Sequence, residues 1–361
     1  SDQFYCEGAG AADIDGDGQL DYIAGPYWFP GPEFTSRREY RPVEAFDVQV
    51  YSDHFFTFAE DFNGDGRTDI FVIPMPGTPA YWFENTGNLD SHWPKRLAFP
   101  AVDNESPDLV DVDGDGKRDL LCLFEGRYGY VETPARATEE TWTFHPISPD
   151  LGYGRFTHGL GSGDVNGDGR RDVPEKNGWW EQPADLAGDP VWKFHPVKFA
   201  DFGGAQMLVA DFDGDGDADV VTSVHAHGYG LSWFENVGDA EHPEFEERVL
   251  MSADPNDADS GVRFSQLHAL ALADVNGDGV DDFVTGKRYW AHGGKDPGAN
   301  EPAVLYWYET RRKADGVEFI PHRIDVNSGV GTQVEALDVN GDDRVDIITG
   351  SKKGLFLFLQ K

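Results

Sequence analysis

The chain is poor in positive charge. Its 361 residues hold 29 lysines and arginines against 66 aspartates and glutamates, a formal net charge of −37. A surface this acidic repels nucleic acid and anionic membrane, and no basic stripe offsets it. No apolar run is long enough to span a bilayer, so membrane insertion is not expected. Two cysteines, Cys6 and Cys122, are too few for a disulfide scaffold. Cys122 lies in a strand-like run, Leu120–Phe124, and reads as a buried thiol. No signal-peptide pattern is present, and the start at Ser1 reads as a mature or trimmed terminus. Hydrophobic residues make up 39%, enough for a large core.

What the chain has in abundance is one acidic pattern. D-x-[DN]-G-D-x-x-x-D occurs seven times, at Asp13–Asp21, Asp61–Asp69, Asp111–Asp119, Asp164–Asp172, Asp211–Asp219, Asp274–Asp282 and Asp338–Asp346. The starts are 48, 50, 53, 47, 63 and 64 residues apart. A period near 50 with β-type segments between copies predicts a repeat architecture of seven units. The motif holds more than a third of all acidic residues, so much of the excess charge reads as metal-ligand charge.

Hard cations such as calcium take six to eight oxygen ligands from a tight loop. The carboxylates and amides at positions 1, 3, 5 and 9 are the candidate ligands. They are Asp13, Asp15, Asp17, Asp21, Asp61, Asn63, Asp65, Asp69, Asp111, Asp113, Asp115, Asp119, Asp164, Asn166, Asp168 and Asp172. The later copies add Asp211, Asp213, Asp215, Asp219, Asp274, Asn276, Asp278, Asp282, Asp338, Asn340, Asp342 and Asp346. Glycine at position 4, and usually at 6, permits the left-handed backbone of such a turn. The last copy departs from this, with Asp343 at position 6. A run of Asx turns without metal is the simpler alternative for a single copy, but seven uncompensated acidic clusters would repel themselves. Calcium at the affinity of extracellular modules would suit a secreted or periplasmic protein.

These residues resemble the calcium-binding FG-GAP or VCBS repeats of integrin-type seven-bladed propellers, and the resemblance spans the whole chain. The spacing itself supports four strands per unit. A short apolar run precedes each motif, as in Met207–Ala210, and a second follows it, as in Asp282–Thr285. A third run is aromatic and ends in Glu, as in Trp179–Glu181. A fourth has an aromatic start and an aliphatic finish, as in Trp192–Val197. Seven such units read as an all-β, seven-bladed propeller in one domain, 1–361, with the acidic loop joining strands 1 and 2 of each blade. The last blade runs out of chain after its third strand, Leu355–Leu359, so it is expected to be three-stranded or poorly closed.

With the acidic loops at the bottom, the 4–1 and 2–3 loops surround the channel on top. Both long insertions, Ser252–Gln266 and Lys287–Ala303, belong to those loops. Long loops on a rigid scaffold are where sites are built. Six residues before each motif the mouth of the inner strand reads Glu7, Phe55, Glu105, His158, Ala205, His268 and Thr332. His158 and His268 are thus equivalent, and His227 lies in the 2–3 loop of the blade between them. Three imidazoles with an open position are how catalytic zinc is commonly held, and other divalent transition metals suit the same ligands. Hydrogen bonding within the propeller, or direct contact with substrate, is the alternative for each histidine. Glu7 and Glu105 are expected on the opposite side of the ring. Tyr27, Trp28, Tyr51, His54, Arg127, His225, Lys287 and Arg288 map to top loops, and aromatic rings with charged groups suit a sugar.

The segments FYCEG (4–8), YSDHFF (51–56), DNESP (103–107), THGLGSG (157–163), AHGYGL (226–231), FSQLH (264–268) and KRYWAHGGKDP (287–297) are similar to the propeller domain of fungal aldos-2-ulose dehydratase/isomerase. That resemblance implies a top-face zinc and dehydration of a keto sugar such as 1,5-anhydro-D-fructose. Combined with the histidine trio, it predicts a metal-dependent carbon–oxygen lyase, the base drawn from His292, Glu105 or Tyr229 and the acid from Glu7 or Asp53. Two rivals stand beside it: a non-enzymatic propeller that binds glycan or protein, and a metal-independent polysaccharide lyase using His and Tyr.

Overall fold

The computed structural model describes residues 3–134, 142–239, 242–257, 261–314 and 316–361. Its regular elements are all strands, arranged as seven consecutive antiparallel meanders that form a β-propeller. The inner strands are Ala9–Ala12, Phe56–Glu60, Asp108–Val110, Leu160–Gly161, Gln206–Ala210, Leu270–Ala273 and Val334–Leu337. Six meanders have four strands. The seventh stops at Gly354–Phe358 with three, as the register predicts. No helix in the described residues is long and apolar enough to cross a membrane.

The glutamates that close the third strands pair with the fourth. Glu84 meets Arg96, Glu181 meets Lys193 and His195, Glu235 meets Arg248, and Glu309 meets His322. They stitch the outer strand to its blade in blades 2, 4, 5 and 6. Tyr27 and Trp28 depart from the expected top-loop placement. The turn before them is only Gly25–Pro26, so both fall in the third strand, Tyr27–Phe29. Trp28 is fully buried, and Tyr27 packs edge-on against Tyr5 at 5.2 Å. They are core residues of blade 1.

Each acidic loop is closed by its ninth residue. Asp21 accepts the amide of Ile14 and that of Gly31, at the end of the third strand. Asp69, Asp119, Asp172, Asp219, Asp282 and Asp346 repeat the same pair of bonds in the other six blades. These seven carboxylates are buried and tie strand 1 to strand 3 around the loop. Position 1 accepts loop amides in the same way, as Asp13 does from Gly16 and Gly18. Asp343 adopts φ 62° and gives its amide to Asp338 as the glycines do, so the seventh loop keeps the turn.

The ring closes at the mouth. The Glu7 amide donates to the His54 carbonyl, and the Glu7 carbonyl accepts the Thr332 amide at 2.7 Å, which joins blades 1, 2 and 7. The inner strands of blades 4 and 5 pair in parallel at Leu160↔Gln206 and Gly161↔Met207. A Cβ on Gly161 would lie 2.0 Å from the Met207 carbonyl oxygen. Gly161→Ala is therefore expected to lower stability by about 1–3 kcal/mol, read from the urea midpoint. It should also displace His158, three residues upstream.

Candidate functional site

Top loops from blades 3, 4, 5 and 6 meet at the mouth. His158, His227 and His268 come together there, with ring centroids 4.6, 5.0 and 5.3 Å apart. One nitrogen from each lies within 4.8 Å of the others. Glu105 is not across the ring from them. Its Oε2 is 3.4 Å from His158 Nε2 and 3.8 Å from His268 Nε2, because the mouth is narrow enough for one side chain to bridge. Arg288 donates to Glu105 at 2.7 Å and to Glu7 at 2.8 and 3.2 Å. All three are almost completely buried. Arg288 is thus a strut between two carboxylates, its guanidinium beside the rings of Phe55 and Tyr51.

The electrostatics keep two of the three imidazoles uncharged. Burial pushes His227 down to about 4, with His158 and His292 adding to the effect, and carries His268 well below the usual imidazole range. Both are neutral near pH 7 and have a lone pair to offer. Burial alone would raise Glu105, yet Arg288 and His158 beside it hold its carboxyl down at about 2. His268 Nδ1 faces the Gln266 carbonyl at 3.3 Å and His227 Nδ1 faces Asp296 at 3.2 Å. Both partners only accept, so each Nδ1 carries the proton and each Nε2 is the available ligand atom. His158 Nε2, His268 Nε2, Glu7 Oε2 and Gln266 Nε2 are buried without a hydrogen-bond partner. Four orphaned polar atoms around one mouth fit a site built for a ligand or ion.

The backbone is strained at the same place. Phe156, Gln266 and Trp290 have φ of 64°, 63° and 59°, and each stands two residues before a histidine of the site. Such angles cost about 1–3 kcal/mol each in a residue with a side chain, and persist where surrounding bonds over-determine them. Gln266 shows the bonds that do so. Its amide reaches Gly228, its carbonyl accepts Arg288, and its side chain holds the Ala291 amide. Sequence reasoning missed Gln266 and Asp296, although both lie in the segments FSQLH and KRYWAHGGKDP. An acidic residue four after His292 in an inserted loop was the available signal for Asp296.

The remaining expected residues divide. Asp53 is locked in a two-bond pair with Arg41 at 2.7 and 2.8 Å. Despite burial, Arg41 keeps its carboxyl below the usual range, so it is no proton donor. His54 is a core histidine, 2.6 Å from Thr57 Oγ1 and pushed down to about 3 by burial and by Arg41. Tyr229 bonds Glu301, and burial and that glutamate raise its phenol. Lys287 is buried and gives its ammonium to the Gly298 carbonyl. His225 braces the 225–228 turn, accepting the His227 amide. Arg127 is exposed at the start of its strand. Tyr51 packs beside Arg288 and donates to the Ala291 carbonyl. His292 stacks on His227 at 4.3 Å.

In the acidic loops, oxygens of positions 1, 3 and 5 converge within 4.8 Å in blades 1, 3 and 5. Residues 61–122 match the FG-GAP-like repeat family. The FG-GAP-like match runs from the acidic loop of blade 2 to the second strand of blade 3. A structure described as specific recognition of non-reducing terminal N-acetylglucosamine by an Agrocybe aegerita lectin aligns over 90% of this chain and 82% of its own. Its TM-score is 0.52 at 20% identity. BBS1N in complex with ARL6DN aligns over 99% of this chain and 94% of its own, with TM-score 0.50 and 12% identity. At these identities the likeness is one of fold. No curated protein matches the sequence.

Proposed function

We propose that this propeller is a metal-dependent carbon–oxygen lyase that eliminates across a keto sugar at its top-face mouth. The observation that carries the reading is the pair of orphaned, buried Nε2 atoms on His158 and His268, facing the Glu105 carboxylate that Arg288 holds ionised. His158, His227 and His268 would hold zinc or another divalent transition metal, with Glu105 as countercharge or fourth ligand. When bound, such an ion acts as a Lewis acid on a carbonyl. A keto sugar of the 1,5-anhydro-D-fructose or 2- or 3-keto-glycoside type presents that carbonyl with an acidified neighbouring C–H. Glu7 keeps one buried oxygen unbonded, and with Tyr51 it would line the sugar side. The acidic loops are proposed as calcium sites that rigidify the ring from the other face.

Elemental analysis of protein stripped and reloaded with zinc should find one transition-metal equivalent per chain. His158→Ala with His268→Ala should lose it and abolish formation of an unsaturated ketone, followed by ultraviolet absorbance or NMR. A double variant that keeps full activity would overturn the reading. A second reading, a carbohydrate-binding propeller without chemistry, draws support from the fold likeness to the N-acetylglucosamine-recognising lectin. It predicts sugar binding that is indifferent to loss of the histidines.

A further inference from the structure

We infer that Asp296 is a shared anchor for two imidazoles: it orients His227 as a metal ligand and His292 as the base that acts beside it. The inference rests on the metal reading above. Asp296 Oδ2 lies 3.2 Å from His227 Nδ1, and Oδ1 lies 2.9 Å from His292 Nδ1. A carboxylate accepts only, so both Nδ1 atoms carry protons and both Nε2 lone pairs point away from Asp296. The two rings stack at 4.3 Å with an interplanar angle of 24°. Near-parallel rings anchored at the same edge place their Nε2 atoms side by side. With an ion held at His227, His292 would stand beside a carbonyl that the ion polarises.

The two rings differ in the way these roles require. His227 is largely buried among His158 and His268, whereas the side chain of His292 is 50% exposed and its Nε2 bonds no group among the described residues. The other base candidates are committed elsewhere, Glu105 to Arg288 and Tyr229 to Glu301. The strained Trp290 delivers this loop, and its carbonyl is gripped by the buried ammonium of Lys352. In the step assigned to His292, the C–H bond breaks and the proton passes to Nε2. The electron pair forms the C=C bond as the β-oxygen leaves as hydroxide or alkoxide. Asp296 touches neither and is a positioning residue.

The test separates ligand, base and anchor. His292→Ala should retain one zinc per chain with affinity within about threefold of the parent. It should lose at least about 100-fold in kcat and lose solvent deuterium exchange at the carbon beside the carbonyl. Asp296→Asn should weaken zinc binding by about 10–100-fold and still show depressed kcat at saturating zinc, with KM little changed. Asp296→Glu should recover part of both. Imidazole 15N NMR of the zinc-loaded parent should show protonated Nδ1 on His227 and His292, a readout independent of the reaction catalysed. The inference is overturned if His292→Ala sheds zinc as His227→Ala does, if Asp296→Asn leaves zinc affinity unchanged, or if His292 shows a protonated Nε2 instead. If those zinc and NMR results hold while no keto sugar is turned over, the lyase reading has failed and the anchor stands.

Discussion

Arg288→Met should lower folding stability by about 3–5 kcal/mol, the usual effect of removing one partner from a buried ion pair. Arg288 is 2% exposed and carries hydrogen bonds to Glu7 and Glu105, themselves 0% and 5% exposed. Methionine fills much of the volume but leaves two carboxylates facing each other with no counterion. Glu105 would then lose its main support, because Arg288 is the largest influence holding it near 2 against burial. The denaturant midpoint should fall and zinc affinity should change with it. If folding fails outright, the triple variant Glu7→Gln, Glu105→Gln, Arg288→Met should recover most of the stability, since the cost lies in uncompensated charge. A single variant as stable as the parent would show that the carboxylates find another partner.

Removing divalent cations should have an effect of comparable size and an unusual pH dependence. Burial pushes the ninth-position carboxyls of Asp69, Asp119, Asp172 and Asp219 up to about 7, and those of Asp21 and Asp282 to about 6. A carboxyl raised in the folded state stabilises the fold below its unfolded pKa and loses that contribution as pH rises through the folded value. In chelator, stability should therefore fall between about pH 4 and pH 7. One pH unit of mismatch is worth ~1.4 kcal/mol per group before screening by solvent, so several loops together outweigh most single substitutions. Calcium binds the ionised form, so in excess calcium the trend should flatten or reverse. Thermal melts at pH 5 and pH 8, with calcium and with chelator, give the four values needed. Parallel pH trends under both conditions would mean the loops bind no ion.

The repeat made the blades legible before any coordinates. A nine-residue motif fixes a turn, and the turn fixes which neighbours are strands, down to the missing fourth strand of the last blade. The same register brought Glu7, Glu105, His158 and His268 to one mouth. It carried no information on the width of that mouth, which depends on how closely glycines such as Gly161 let inner strands approach. Hence Glu105 looked remote from histidines it touches. Side-chain pairings between distant positions were equally silent. Asp53 and His54 resemble exposed loop chemistry until Arg41 is found beside them. Tyr27 and Trp28 were misplaced for a local reason, a turn of two residues where a loop seemed available.

The seam of the ring runs through Glu7, and this has a consequence for the order of folding. The residue that latches blade 1 to blade 7 through its backbone also grips Arg288 through its side chain. Those partners are 325 and 281 residues away along the chain. Contacts so remote in sequence form late, after the loop entropy of the intervening chain has been overcome. A nascent chain with six finished blades has the histidines with Glu105 beside them, but the Glu7 carbonyl has yet to meet the Thr332 amide. The Glu7 side of the mouth is completed with the last closure, so circularity and the final pairing of Arg288 are acquired together.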